Sequence, residues 1–225
     1  LSHADALQRL WFIDQNGLVV KSRKRLAEHI VPYAQDHPAM SFVDAIKSIK
    51  PHVLIGATGV QGTFTEEVIR LMAELNERPA IFALSNPSSH AECTAQQAYE
   101  WTEGRAIFAS GSPSDAVNYH DKTFRPGQGN NAYIFPGVGL GVIACNASRI
   151  TDEMFLAAAD TLADMVKPEH LEQGTIYPPL KDIRAISLKI ACAVAECAYA
   201  QNLAQNPRPD DLSKSIKKIM YDPGY

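Results

Sequence analysis

The sequence predicts an α/β protein: a parallel sheet flanked by helices, with a helical C-terminal part. Three observations predict it. Four short apolar runs, LWFID (10–14), HVLIGA (52–57), AIFALS (80–85) and AIFAS (106–110), have the density of strands buried on both faces of a parallel sheet. Helix signals lie between them, so strand and helix alternate and imply right-handed βαβ crossovers. After Arg149 the strand-like runs stop and helical spacing takes over.

Taken in order, LWFID reads as the first strand and ends in Asp14-Gln15-Asn16-Gly17, a turn. HVLIGA is followed by GTFTEEVIRLMAEL, where Thr63-x-x-Glu66 predicts a capping box and Val68, Ile69, Met72 and Leu75 keep helical spacing. CTAQQAYEW repeats the device with Thr94-x-x-Gln97. Residues 126–148 carry no charge. That length would span a bilayer, but Gln128, Asn130, Asn131, Pro136 and the glycines speak against lipid and for burial in protein, with a helix starting near Phe135–Gly137. Thr151 with Asp152 and Glu153 opens a helix whose Phe155, Ala158, Leu162 and Met165 are expected on one face. Ile183, Ile186, Ile190, Val194 and Cys197 mark a longer one, and TIYPPL (175–180) between them reads as an extended connector. The tail from Asn206 reads as loop, short helix and turn.

Composition narrows the class. The 225 residues carry 21 Lys+Arg against 25 Asp+Glu, a net charge of −4, with 46% apolar residues. This is a chain that folds around a core and is not built to bind nucleic acid. Four cysteines without C-x2-C spacing suggest neither a disulfide framework nor a zinc site. No signal-peptide layout opens the chain, which begins at Leu1 and reads as cut from something longer. Nucleophile elbow, H-E-x-x-H and Walker patterns are absent.

In an open parallel sheet, ligands bind beyond the carboxyl ends of the strands. Asp14 ends the first run, where a dinucleotide fold places an acid for the ribose hydroxyls; a turn-forming Asp is the alternative. GATGVQG (56–62) follows the second, and its glycines would let backbone amides approach a phosphate or ribose; a tight βα turn without ligand is the alternative. LSNP (84–87) puts Asn86 at a strand end, and GQGNN (127–131) carries Asn130 and Asn131. Such amides suit a small hydroxy acid, donating to a carboxylate and accepting from a hydroxyl; turn and cap chemistry is the alternative. SRKR (22–25) would meet an adenosine phosphate or lie solvated.

Together these residues resemble the malic enzymes. The resemblance is carried by WFIDQNGLVVKSR, KPHVLIGATG, FTEEVIRLMAELNERPAIFALSNPSSHAECTAQQAYEWTEGRAIFASGSP, PGQGNNAYIFPGVGLGVIACNASRITDEM and GTIYPPLKDIR, in order along almost the whole chain. It implies a Rossmann-like fold whose first part precedes Leu1, with 1–150 a partial NAD(P)-binding domain and 151–225 its helical C-terminal part. It implies oxidative decarboxylation of (S)-malate to pyruvate and CO2, with NAD or NADP and Mg2+ or Mn2+. Asn86, Asn130 and Asn131 match the substrate asparagines, Asp14 the strand-end acid, and Gly56, Ala57, Thr58 and Gly59 the turn along the cofactor, to which Asn86 also belongs. The family's tyrosine acid, lysine base, metal-ligating carboxylates and phosphate loop match nothing here, so no catalytic or metal-binding residue is assigned. These 225 residues by themselves are expected not to turn over malate.

Two departures stand out. SGSPSDAV has Ser114 and Ala116 where the family has an aromatic residue and a Pro-Val. Gln15 follows Asp14, and Ile30 and Val31 stand where NADP-preferring relatives carry a lysine. With Asp14 set to repel a 2′-phosphate unless a cation screens it, this inclines the reading to NAD, Arg23 and Lys24 keeping NADP open. The resemblance further implies a homo-oligomer without nucleic-acid or membrane partners, in the cytoplasm or an organelle matrix. Malolactic enzyme, giving lactate, and a non-catalytic dinucleotide-binding module are the alternative readings.

Overall fold

The computed structural model describes residues 2–221. Its elements are α1 (His3–Gln8), β1 (Ile13–Asp14), β2 (Gly17–Leu18), α2 (Phe42–Ile49), β3 (Val53–Gly56), α3 (Glu66–Leu75), β4 (Ala80–Ala83), α4 (Ala95–Trp101), β5 (Ile107–Ser110), β6 (Val117–Tyr119), β7 (Lys122–Phe124), β8 (Gly127–Gln128), α5 (Phe135–Cys145), α6 (Asp152–Asp164), α7 (Pro168–Glu172), α8 (Ile183–Ala200) and α9 (Leu212–Ile219). The main sheet has strand order β3-β4-β5-β8, and β3–β4 and β5–β8 are both parallel. This is the α/β class expected. The chain divides into two compact units, Leu1–Ile107 and Phe108–Tyr225.

Three of the four apolar runs form strands of the sheet, and LWFID, in the first unit, does not. Its last two residues pair antiparallel with Gly17–Leu18 across the Gln15-Asn16 turn, leaving Leu10 and Phe12 exposed. The run is apolar because Trp11 and Ile13 pack on Leu18, Val20 and Ala45, a small cluster of their own. Gly17 makes the reversal, with φ +89 and a Cβ position only 2.2 Å from the Met40 carbonyl oxygen. Register pairs Val53 with Ala80 and Gly56 with Ala83, so β3 and β4 end side by side. The α3 cap is Thr65, not Thr63: Thr65 accepts from the Val68 N–H, while the Thr63 hydroxyl donates to the Val60 carbonyl. The Thr94–Gln97 capping box forms as expected. Arg105 fastens the α3 end by donating to the carbonyls of Ala73, Asn76 and Glu77.

In the second unit, α8 is the central helix, with Ile186, Ile190, Ala191, Val194 and Ala195 fully buried. The uncharged segment becomes α5, and Gly137 and Gly141 let it approach α8. A Cβ on Gly137 would lie 2.6 Å from the Ile190 side chain, and one on Gly141 2.6 Å from the Ala191 carbonyl. On α6 the buried face is Met154, Ala158 and Leu162. Phe155 is half-exposed instead, because the first buried position falls one residue earlier. Asn146, in a sequon-like triplet, ends α5 in a left-handed conformation and donates to Gln205. Residues 175–179 of the expected extended connector are irregular, with a bend at Ile176–Tyr177, Leu180 already opens a short 3-10 turn, and the tail helix is α9. The turn expected at the very end lies outside the described residues. Among those residues, no helix is long and apolar enough to cross a membrane.

Candidate functional site

Within the first unit, β3 runs into Gly56-Ala57-Thr58-Gly59 and β4 into Leu84-Ser85-Asn86-Pro87. The Leu84 N–H donates to the Gly56 carbonyl at 2.9 Å, holding the two strand ends together. Beneath them lies Glu92, with no exposed surface. Its Oε1 accepts from the Thr58 N–H at 2.8 Å, the Thr58 hydroxyl at 2.9 Å and the Ser85 hydroxyl. The Ser85 N–H reaches Oε2 at 3.3 Å. The Ser85 oxygen in turn accepts from the Gly59 N–H at 2.8 Å. Burial pushes the Glu92 carboxyl up, but these donors outweigh it and hold the acid below the usual glutamate range. Gly56 makes room: a Cβ there would lie 2.6 Å from Glu92 Cγ and Cδ.

This alters how the turn can meet a ligand. Its amides were expected to approach a phosphate or ribose. Those of Thr58 and Gly59 point inward to Glu92 and Ser85, and that of Val60 is taken by the Thr58 hydroxyl at 3.1 Å. A buried negative charge under the turn also opposes a phosphate above it. What the turn offers is close approach over bare backbone, since Gly59 and Gly62 have open space where a side chain would stand. Sequence reasoning missed Glu92, whose partners are remote in sequence. The available signal was an acid set between two small residues, Ala91 and Cys93, two residues before the Thr94 cap of α4.

Asn86 is exposed at the β4 tip; its Nδ2 donates to the Leu84 carbonyl at 3.3 Å, and the Asn86–Pro87 peptide is cis. Asp14 is both a turn residue and a charged one. Its Oδ1 accepts from the Asn16 N–H at 2.8 Å, and its Oδ2 pairs with Arg23 Nη1 at 2.6 Å. The guanidinium beside it holds the Asp14 carboxyl below its ordinary range. Lys24 is exposed.

In the second unit, Asn130 and Asn131 are exposed beyond β8. Asn130 Oδ1 caps a short turn by accepting from the Ala132 N–H at 2.8 Å. The segment is braced from behind. Tyr133 and Tyr177 stack at 5.2 Å, Tyr133 donates to the Pro178 carbonyl, and a Cβ on Gly127 would meet the Tyr177 ring at 2.7 Å. Ser114, at the departure noted in the sequence, hydrogen-bonds Ser110 at 3.0 Å. Among the described residues, no three His, Cys, Asp or Glu come together as a metal site.

Residues 1–199 match the family described as malic enzyme, NAD binding domain. An NADP-dependent malic enzyme from Populus trichocarpa is 53% identical over 97% of this chain, and NADP-dependent malic enzyme 4, chloroplastic, from Arabidopsis thaliana is 52% identical over 98%. These alignments cover 37% and 35% of the relatives, so the chain spans little more than a third of their length. Among solved structures, the malic enzyme of Entamoeba histolytica matches in fold over 93% of this chain and 40% of its own, with TM-score 0.71 and 23% identity. That of Pyrococcus horikoshii matches over 75% of this chain and 35% of its own, with TM-score 0.57 and 26% identity.

Proposed function

Since the chain belongs to the malic enzyme NAD-binding domain family, we propose that it is the dinucleotide- and malate-holding part of an enzyme that oxidatively decarboxylates (S)-malate to pyruvate and CO2. The observation that carries the reading is the joined ends of β3 and β4, where the Gly56–Gly59 turn and the Asn86 tip are tied together by one buried carboxylate. A nicotinamide dinucleotide, when bound, accepts the hydride from C2 of malate.

The residues of this chain then bind and orient. Asp14 holds the adenosine ribose hydroxyls. Gly56, Ala57, Thr58 and Gly59 lie under the nicotinamide end, where close approach without a phosphate suits the inward-facing amides. Asn86, at the junction, faces both cofactor and substrate. Asn130 and Asn131 offer amide donors to a malate carboxylate and acceptors to its hydroxyl. No acid, base or metal ligand is assigned to this chain. The described residues form no cluster fit for Mg2+ or Mn2+.

For the cofactor, the Asp14–Arg23 pair bears on the choice. The cation that would screen Asp14 from a 2′-phosphate is in place, and the relatives above are described as NADP-dependent. Both support NADP over the NAD to which the sequence inclines.

The test is (S)-malate with NADP or NAD, supplied to the enzyme that carries this sequence. Reduced cofactor and pyruvate should form in equal amounts. Lactate without net cofactor reduction, or no malate-dependent reduction at all, would overturn the reading.

A further inference from the structure

The carboxylate of Glu92 sits where neither solvent nor a ligand can touch it, yet it contacts both loops of the candidate site. It has no exposed surface, and its two oxygens accept from Thr58 on one loop and Ser85 on the other. The backbone joins in: Phe64 N–H donates to the Glu92 carbonyl at 3.0 Å and Gly62 N–H to the Ala91 carbonyl at 3.2 Å. His90 Nδ1 lies 3.0 Å from the Gly59 carbonyl oxygen. The segment 90–92 thus braces the chain from Thr58 to Phe64. A buried acid with every donor drawn from two ligand-facing loops is a costly way merely to fill space, since an apolar side chain would do that without desolvating a charge.

We propose that Glu92 is a positioning residue: it fastens the Gly56–Gly59 turn to the Ser85–Asn86 tip and so sets where the nicotinamide end of the dinucleotide and the Asn86 amide meet. This rests on the function proposed above. The ties also set the direction of failure. If the carboxylate loses its charge, one of its two acceptors becomes a donor that the Ser85 N–H cannot meet, the remaining bonds from Thr58 and Ser85 lose their charge assistance, and the turn and the tip move independently. The hydride donor and acceptor are then no longer held within reacting distance, where a displacement of an ångström costs orders of magnitude in rate.

The experiment uses the enzyme that carries this sequence, with Glu92→Gln, Ser85→Ala and Thr58→Val as test variants. Thr102→Ala is the control: Thr102 is buried, donating to the Ala98 carbonyl and accepting from the Ala106 N–H, away from both loops. Per folded molecule, Glu92→Gln is expected to lower kcat/KM for malate and to raise the Kd for dinucleotide by about tenfold or more. Ser85→Ala and Thr58→Val should shift both in the same direction by less. Thr102→Ala should lower Tm and leave both constants unchanged. If Glu92→Gln does not fold, the two single-tie variants decide the question. Constants that move only with the folded fraction, as in the control, would overturn the proposal. Dinucleotide binding, followed by fluorescence of the reduced cofactor, separates the two readings. A wild-type enzyme that binds cofactor but ignores malate defeats the malate assignment and leaves Glu92 to be judged on Kd; one that binds no dinucleotide defeats both.

Discussion

Arg23 grips Asp14 by a 2.6 Å ion pair and, through Nη2, the carbonyls of Gly17 and Leu18 at 2.7 and 2.8 Å. The guanidinium is thus fixed on the hairpin and mostly buried, while Asp14 stays half-exposed. An isolated acid here would favour a free ribose hydroxyl pair and repel a 2′-phosphate. A paired one is electrically near neutral, so its repulsion of a 2′-phosphate is screened. Arg23→Ala should therefore lower kcat/KM for NADP relative to NAD by about tenfold or more, and Asp14→Asn should raise the same ratio. Taking the ratio cancels any loss of folded protein. Equal losses with both cofactors would remove Arg23 from the recognition of NADP.

Acid should expose the state of Glu92. Burial raises its carboxyl, but the Ser85 and Thr58 donors lower it more, so the folded value lies below that of the unfolded chain. A group depressed in this way adds stability above the ordinary glutamate range and loses it as pH falls through the depressed value. Wild type should therefore exceed Glu92→Gln in Tm most at neutral pH, with the gap closing below about pH 4. Thermal melts across that range check it. A gap that widens on acidification would mean the acid is held neutral.

The α5–α8 contact predicts opposite signs for neighbouring glycines. Gly141→Ala places a methyl 2.6 Å from the Ala191 carbonyl, which sits in the α8 backbone and cannot swing away. It should destabilise by about 1–3 kcal/mol. Gly139, two residues earlier and so turned to another side of α5, has open space at its Cβ position, and Gly139→Ala should stabilise by about 0.5–1 kcal/mol through helix propensity. Denaturant melts of the two variants decide it, and the same sign for both would mean that α5 does not pack as described.

What the sequence made legible was local. Parallel strands VLIG and AIFA, the Thr94–Gln97 box and the start of α5 follow from patterns a few residues long. Misreadings came where two local patterns competed or where a partner was remote. Thr63 and Thr65 both precede acidic residues, and only tertiary placement makes Thr65 the cap, because Thr63 turns to Val60. LWFID has the apolar density of a central strand, but the Gln15-Asn16 reversal sends it back on itself. For the candidate site, Asp14 and Asn86 stand out in the sequence as residues at the ends of runs, and Asn130 and Asn131 as the opening of an uncharged segment. Glu92 was not, because its role depends on Thr58, which lies 34 positions away.

Bracing behind the asparagine segment makes Gly127→Ala informative. Its methyl would meet the Tyr177 ring at 2.7 Å and the Thr175 hydroxyl at 3.0 Å. That ring is stacked on Tyr133, whose hydroxyl is held by the Pro178 carbonyl at 2.7 Å. With the ring unable to yield, β8 must shift and carry Asn130 and Asn131 with it. The expected result is a rise in KM for malate with little change in KM for the cofactor. An unchanged KM for malate would show that the segment does not position substrate.

The two asparagines should themselves separate structure from binding. Asn130 Oδ1 accepts from the Ala132 N–H and so caps the turn, whereas the Asn131 side chain has no hydrogen-bond partner among the described residues and lies exposed. Removing a cap of this kind costs about 1 kcal/mol. Asn130→Ala should therefore lower both Tm and malate affinity, while Asn131→Ala should lower malate affinity alone. Asn130→Asp keeps an acceptor for Ala132 but replaces the amide donor with a negative charge facing a dicarboxylate. It should restore Tm close to wild type while weakening malate binding further than Asn130→Ala does, because a lost hydrogen bond is replaced by a repulsion. Melts and malate KM values for the three variants check this. If Asn130→Asp regains both stability and affinity, capping is all that Asn130 does.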